Sequence, residues 1–276
     1  MEILGLEWWQ ALLVLLAGFW AGTINSVVGS GTLVTFPVLV SVGFPPVTAQ
    51  MSNAIGLVAA GFSGTWGYRR ELKEAGIIAK KLTWGSLLGG LIGATLLMQL
   101  PPTVFDYVAP ALIVFAIMFV VFQPRLNTWV RRRRIDDGDE PVRDDIVPVP
   151  SDRVSPVLFI LVFLTGIYGG YFVAAQGVLL MGILGVFMTS GTLVHANAIK
   201  TWLSLAVNLI AAAGYVLFAF DRIDWTAVLL IAVSSVIGGS VGAHIGRRIK
   251  PHVLRIVIVL VGSVGLVNML VRLVNG

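Results

Sequence analysis

A long stretch of chain without charge restricts the fold more than any other feature. Residues 8–68 contain no Asp, Glu, Lys, Arg or His. Only 12% of the 276 residues are charged and 57% are hydrophobic, whereas about 25% of the residues of a typical soluble domain are charged. Because a water-soluble core of this size cannot bury so much uncharged chain, the composition predicts a polytopic membrane protein embedded in the lipid bilayer.

Ten hydrophobic segments follow one another along the chain. Eight have the length needed to span a bilayer, about 20 apolar residues in a helix, and two are shorter. The long candidates are residues 8–28, 49–68, 82–100, 104–123, 155–176, 194–219, 225–246 and 253–274, and the short ones are residues 32–44 and 178–190. We therefore expect an all-α membrane fold.

The two halves of the chain repeat one pattern. Residues 47–68 align with residues 194–215, and each half contains one short segment. Short segments at corresponding positions of two halves are typical of secondary transporters, whose substrate site lies at the repeat interface. We predict two repeats of five segments, residues 1–123 and 155–276, joined by a charged linker, residues 124–154. The recurring glycines are Gly18, Gly22 and Gly29, matched by Gly166, Gly170 and Gly177.

The symmetry of the repeats depends on whether the short segments cross the bilayer. If they cross, the chain passes ten times and the repeats are inverted; if they re-enter, it passes eight times and the repeats are parallel. Ten passes place sixteen Lys and Arg residues on one side and two on the other, whereas eight passes place fourteen and four. Since basic loops stay in the cytoplasm, we favour inverted repeats in the cytoplasmic membrane, with the linker cytoplasmic and both termini outside.

Each half also contains a break between a long helix and the short segment that follows it. Breaks survive in lipid only where protein or a cavity covers them, and the N–H groups that start the new helix attract an anion. The alternative is that the glycines only permit close helix packing. The first break comprises Gly29, Ser30, Gly31 and Thr32, and the second comprises Gln176 and Gly177. We favour a site role for the breaks and a packing role for Gly18, Gly22, Gly89, Gly93, Gly238 and Gly242.

Polar side chains cluster near both breaks. The repeat alignment pairs Gln50 with Asn197 and Asn53 with Lys200, so equivalent positions are polar in both halves. A lipid-facing surface tolerates this poorly, and we expect these side chains to contact substrate; interhelical hydrogen bonding is the alternative. The predicted contacts besides the breaks are Asn25, Ser26, Gln50, Asn53, Asn197, Lys200 and Thr201.

Lys200 is the strongest single signal for a site. It is the only Lys, Arg, Asp or Glu between Arg153 and Asp221. Ionisable residues inside a membrane usually face a cavity or a partner, and a bound anion would supply the missing counter-charge. The alternative is that the long side chain reaches an interface by snorkelling. His195 is a candidate for taking up a coupling proton, with a local hydrogen bond as the alternative.

The sequence contains no pattern typical of an enzyme. It has no HExxH, GxSxG or GxxxxGK[ST] motif and no paired intramembrane carboxylates. It also contains no cysteine, which excludes disulfides and thiolate metal sites. We expect no cofactor and no metal. The net charge of +5 is not arranged as a basic patch with interleaved aromatics, so we expect no nucleic-acid partner.

The run from Gly18 to Pro37, followed by Ala49 and Asn53, resembles the sulfite exporter TauE/SafE family. The likeness covers nearly the whole chain outside the linker. It implies an anion transporter of the cytoplasmic membrane that moves sulfite, organosulfonates such as sulfoacetate, or similar small sulfur-containing anions. Family members often have a richer glycine run where this chain has Gly29 to Thr32, and the second half has no matching second glycine after Gly177.

These observations together predict a secondary transporter that works by alternating access. The anion would sit between the two breaks, held by backbone N–H groups, Asn25, Asn53 and Lys200, with protons as a candidate coupling ion. An anion channel and a membrane scaffold subunit without transport activity are the alternatives. The sequence leaves the direction of transport and the oligomeric state open, a homodimer included.

Overall fold

The protein folds as an all-α membrane protein. The structure is a computed structural model that describes residues 2–3, 5–136, 154–188, 193–245 and 251–275. The helices in this part of the chain are α1 (Trp8–Val27), α2 (Thr32–Ser41), α3 (Pro46–Gly67), α4 (Arg69–Glu74), α5 (Gly76–Gln99), α6 (Pro102–Asp136), α7 (Pro156–Phe172), α8 (Gln176–Phe187), α9 (Leu193–Phe218), α10 (Trp225–Ile245) and α11 (Pro251–Asn275). A hairpin of β1 (Glu2–Ile3) and β2 (Leu6–Glu7) precedes α1, and a 3₁₀ turn, Phe220–Arg222, follows α9.

Length and composition identify the helices that can cross a membrane. In the described residues, five helices (α5, α6, α9, α10 and α11) contain segments that are long and apolar enough to span, and α2, α7 and α8 are shorter apolar helices. At 1.5 Å per residue, the ten residues of α2 and the twelve of α8 cover about half of a hydrocarbon core of about 30 Å. The two short segments predicted from the sequence are therefore present as half-length helices.

Prolines start several of these helices. Pro46, Pro102, Pro156 and Pro251 each occupy the first position of a helix. Proline has no N–H to donate and its φ angle already suits a helix, so it is well placed where no backbone acceptor is available. The repeat alignment of Pro102 with Pro251 thus marks the start of the last helix of each half.

The linker differs from the expectation in its first part. Helix α6 continues from Pro102 to Asp136, so residues 124–136, which we expected to belong to the linker between the repeats, are part of a helix. Of the remaining linker residues, 137–153 lie outside the described part of the chain, and Val154 precedes α7. The proposed boundary at residue 123 therefore falls inside a continuous helix.

The packing of the helices crosses between the two halves. Helix α1 packs against α10, and its repeat counterpart α7 packs against α5, the counterpart of α10. Helices α3 and α9, also counterparts, pack against each other. The half-helices extend the pattern, because α2 packs against α11 and α8 packs against α6. Each of these contacts between unlike helices has an equivalent in which the two halves exchange roles.

Glycines allow the closest of these contacts. A Cβ on Gly22 would lie 2.0 Å from the carbonyl oxygen of Ser235, and a Cβ on Gly93 would lie 2.1 Å from that of Ile167. Neither position accepts a side chain without movement of backbone. The close packing predicted for this group of glycines is confirmed: a Cβ on Gly89 or Gly238 would also meet a backbone oxygen within 2.2 Å, and a Cβ on Gly18 or Gly242 would meet a serine hydroxyl within 2.5 Å.

Contacts at the helix ends define two ends of the bundle. Gln10 of α1 donates to the carbonyl of Val42 (3.0 Å), and Arg272 of α11 donates to that of Val40 (2.8 Å). Helix α2 therefore runs back toward the start of α1, and we call this side the terminal end. Helix α3 begins there and finishes at the opposite side, the α4 end, where α9 begins.

Candidate functional site

The two breaks meet inside the bundle. A Cβ on Gly177 would lie 2.4 Å from the carbonyl oxygen of Gly29, and a Cβ on Gly29 would lie 3.2 Å from the Cα of Gly177. Gly29 also has a φ of +90°, which disfavours any side chain. The second break turns at Ala175, whose φ is 61°. Helices α2 and α8 therefore begin next to each other, each at a point where its chain has just turned.

Side chains from α1 and α3 hold the start of α2. The N–H of Gly31 donates to Oδ1 of Asn25 (2.7 Å), which satisfies one of the donors at the helix start. The amide of Asn53 donates to the hydroxyl of Thr32 (3.2 Å) and accepts a hydrogen bond from the hydroxyl of Thr35. The N–H of Gly31 is thus already occupied, so this group does not serve a ligand in the structure.

The start of α8 has no comparable set of bonds. Gln176, its first residue, is 1% exposed, and neither polar atom of its side chain has a hydrogen-bond partner among the described residues. The hydroxyl of Ser30, in the first break, is likewise buried and has no partner in the described part of the chain. Buried amides and hydroxyls are normally paired, so these groups are available to a ligand.

Lys200 brings a positive charge to this junction. Its Nζ lies 3.2 Å from the point that a Cβ on Gly29 would occupy, and the residue is only 3% exposed. The single ion pair between described residues joins His195 and Glu74, so no carboxylate in that part of the chain neutralises Lys200. Because the ammonium points to the breaks inside the bundle, the snorkelling alternative does not describe its position.

A partly open cavity of about 550 Å³ contains the junction. Its wall extends from the breaks to Trp66 and Tyr68 at the α4 end, and Trp66 is 71% exposed. Leu57, Ala60 and Leu205 add an apolar strip. Most of the residues predicted from the sequence line this cavity, namely Asn25, Ser26, Gly29, Ser30, Gly31, Thr32, Gln176, Gly177, Asn197, Lys200 and Thr201.

Three predicted residues do not line the cavity. Asn53 faces α2 and holds Thr32, so its role here is to position the break. Gln50 is completely buried in α3, one turn before Asn53, and its amide has no partner among the described residues. His195 lies beside α4, where its Nε2 is 2.8 Å from the Glu74 carboxylate. Its assignment to proton coupling stays a prediction.

The structure adds residues that the sequence did not single out. Asn208 lines the cavity with its Oδ1 unpartnered among the described residues. Asn208 lies on the face of α9 that carries Lys200 and Ser204, at steps of four residues. This spacing could have identified Asn208 from the sequence. Tyr68 also lines the cavity, and its hydroxyl accepts a hydrogen bond from the Asn197 amide (2.6 Å). Nothing in the local sequence pointed to Tyr68.

Comparison with known proteins finds a matching family and several related probable membrane transporters. The family model described as sulfite exporter TauE/SafE matches residues 14–269. A probable membrane transporter protein (ORF9) of Sinorhizobium sp. is 28% identical over 89% of this chain and 86% of its own length. A probable membrane transporter protein of Haemophilus influenzae is 26% identical over 82% and 81%. The probable membrane transporter protein YfcA of Escherichia coli K12 is 24% identical over 88% and 83%. No solved structure gives a significant match.

Proposed function

The chain belongs to the sulfite exporter TauE/SafE family, and on this premise we propose that it is a secondary transporter of small sulfur-containing anions across the cytoplasmic membrane. Sulfite and organosulfonates such as sulfoacetate are the proposed substrates. Membership of a transporter family agrees with the absence of enzyme motifs from the sequence. The proposal extends the family assignment to a substrate class, a site and a mechanism.

One observation supports the anion site above all others. The Lys200 ammonium is buried next to two helix starts and has no carboxylate partner among the described residues. A buried charge is costly unless an opposite charge or several hydrogen bonds compensate it. An anion would provide that charge, and helix N-termini favour the same sign of ligand.

The surrounding polar groups suit an oxyanion. In our proposal the oxygens of a sulfite or sulfonate group accept hydrogen bonds from Lys200, from the Gln176 amide and from the hydroxyl of Ser30. In the described part of the chain, the last two groups have no other partner. The Asn25 oxygen and the Asn53 amide fix the first break. The apolar strip of Leu57, Ala60 and Leu205 gives room for a short organic group, as in an organosulfonate.

The shape of the cavity supports a carrier over a channel. The cavity leads to the α4 end, whereas a channel requires a continuous pore. Helix directions support the inverted-repeat prediction, because α1 starts at the terminal end and α6 runs from there toward the α4 end. Arg69, Arg70 and Lys73 lie in α4, so the positive-inside rule assigns the α4 end to the cytoplasm. We propose that this is an inward-open state of an alternating-access cycle.

Transport by purified protein in proteoliposomes tests the anion site. We expect Lys200→Ala to lower the uptake of sulfite and sulfoacetate by about tenfold or more, because the variant loses the positive charge that would bind the anion. Lys80→Ala removes an exposed lysine of α5 and serves as the matched control with unchanged uptake. Equal uptake by the two variants would exclude Lys200 from the site, and uptake that never saturates with substrate would favour the channel.

We also propose His195 as the group that couples protons to transport. It joins α9 to Glu74 of α4 at the open end of the cavity, and protonation would turn this hydrogen bond into an ion pair. We expect His195→Gln to abolish the response of uptake to an imposed pH gradient. His252→Gln, at an exposed histidine of α11, is the control. A full response in both variants would remove His195 from this role.

A further inference from the structure

Equivalent positions of α3 and α9 lie in different surroundings. Tyr68 and Asn197 are partly exposed and line the cavity at the α4 end. Their repeat counterparts, Tyr215 and Gln50, are each 0% exposed. The same pair of positions is therefore exposed to the cavity at the α4 end and buried at the terminal end.

The hydrogen bonds of these four residues differ in the same way. At the α4 end, the Asn197 amide donates to the Tyr68 hydroxyl (2.6 Å). The counterpart bond is absent, since the Tyr215 hydroxyl donates to the carbonyl of Gly170 (2.8 Å) and both polar atoms of Gln50 are without a partner among the described residues. Gly170 corresponds in the repeat to Gly22, which lines the open cavity.

The unpaired amide of Gln50 calls for an explanation. A buried amide with no partner bears the cost of its desolvation, and Gln50 leaves both polar atoms of its side chain unpartnered among the described residues, whereas the buried Gln123 leaves only its oxygen unpartnered. An apolar side chain of the same size would suit this position better in the present state. A glutamine is understandable here if its amide is paired in another state of the protein.

We propose that Gln50 and Tyr215 form, in the opposite access state, the hydrogen bond that Asn197 and Tyr68 form here. In that state the terminal end is open. The hydrogen bond from the Tyr215 hydroxyl to Gly170 is replaced by one with the Gln50 amide. The hydrogen bond between Tyr68 and Asn197 is replaced by one from the Tyr68 hydroxyl to the carbonyl of Gly22. These are positioning residues, and the inference rests on the proposed alternating access. Because the exchange replaces the Asn197–Tyr68 bond with a Gln50–Tyr215 bond of the same kind, it favours neither state strongly, as a carrier that visits both states requires.

Single cysteines can report which end is open, because the chain contains no cysteine of its own. Thr201 lines the cavity, and its repeat counterpart Ala54 is 0% exposed. We would introduce Thr201→Cys and Ala54→Cys separately and measure their rates of reaction with a maleimide on the purified protein. The first should react rapidly, and the second only as fast as the terminal end opens.

Two variants should shift these rates in opposite directions. Gln50→Met removes a bond of the opposite state, so it should slow labelling at A54C. Asn197→Leu removes a bond of the present state, so it should speed labelling at A54C. Because each variant removes one neutral hydrogen bond, we expect the labelling rate at A54C to change by about 2- to 10-fold in each case. Gln123→Met alters another buried glutamine with an unpartnered oxygen, on α6, and should leave both rates unchanged.

The outcomes separate this inference from the proposed function. Opposite shifts support the exchange even if sulfite uptake is absent, because labelling needs no substrate. Unchanged A54C labelling in Asn197→Leu, or shifts of the same sign in both variants, would overturn the exchange while leaving the anion site untouched. If Gln50→Met does not fold, the Asn197→Leu result decides the question alone.

Discussion

At the scale of single residues, the junction of the two breaks depends on the absence of two side chains. Gly29 and Gly177 contact each other through backbone atoms, and Lys200 completes the contact. The sequence identified all three, because glycines at a repeated spacing and a lone intramembrane charge are visible without a structure. It did not reveal that Gln50 and Asn53 face away from the cavity, since both faces of α3 are buried and no periodicity distinguishes them.

Gly177→Ala should destabilise the protein and reduce transport. The new Cβ would lie 2.4 Å from the Gly29 carbonyl oxygen, so the breaks must move apart, at a cost of about 1–3 kcal/mol. Thermal unfolding in detergent measures the loss. Gly76→Ala is the matched control, since a Cβ there meets nothing within 4 Å. An unfolding temperature as high as that of the control would mean that the contact between the breaks is not tight.

At the scale of helices, the two half-helices are held differently. Asn25 and Asn53 bond to the start of α2. The corresponding positions in the second repeat are Val173 and Lys200, so α8 has neither bond. The side chain of Gln176 is also without a partner among the described residues. The first half therefore provides a rigid support, and the second half provides the groups that are free for an anion.

Asn53→Leu should lower stability because it removes the hydrogen bonds that Asn53 makes with the hydroxyls of Thr32 and Thr35. We expect a loss of about 1–3 kcal/mol, together with weaker stabilisation by added sulfite. Asn268→Leu on α11 is the control, since its Oδ1 already lacks a partner among the described residues. Thermal unfolding with and without sulfite gives both quantities. If the two variants unfold alike, Asn53 is not a support of α2.

The bounds of the helices were only partly predictable from the sequence. Hydrophobic length predicted where the helices lie, although residues 155–176, expected to form a full span, contain the shorter helix α7; glycine spacing predicted both breaks. The end of α6 was missed because its apolar part passes directly into a basic stretch that remains helical to Asp136, and composition alone suggests a loop there. The exchange of partners between halves, α1 with α10 and α7 with α5, was not predicted. Pairing of distant segments depends on surfaces that form only after folding.

At the scale of the whole molecule, the direction in which the cavity opens depends on the orientation of the chain in the membrane. Lys73 of α4 is exposed at the α4 end, and Asp221 is exposed in the 3₁₀ turn between α9 and α10 at the terminal end. If the α4 end is cytoplasmic, an impermeant maleimide added to intact cells should label Asp221→Cys but not Lys73→Cys. Permeabilised cells, in which both should react, provide the control. The opposite pattern would reverse the orientation and turn the inward-open state into an outward-open one, whereas the residues of the anion site would stay the same.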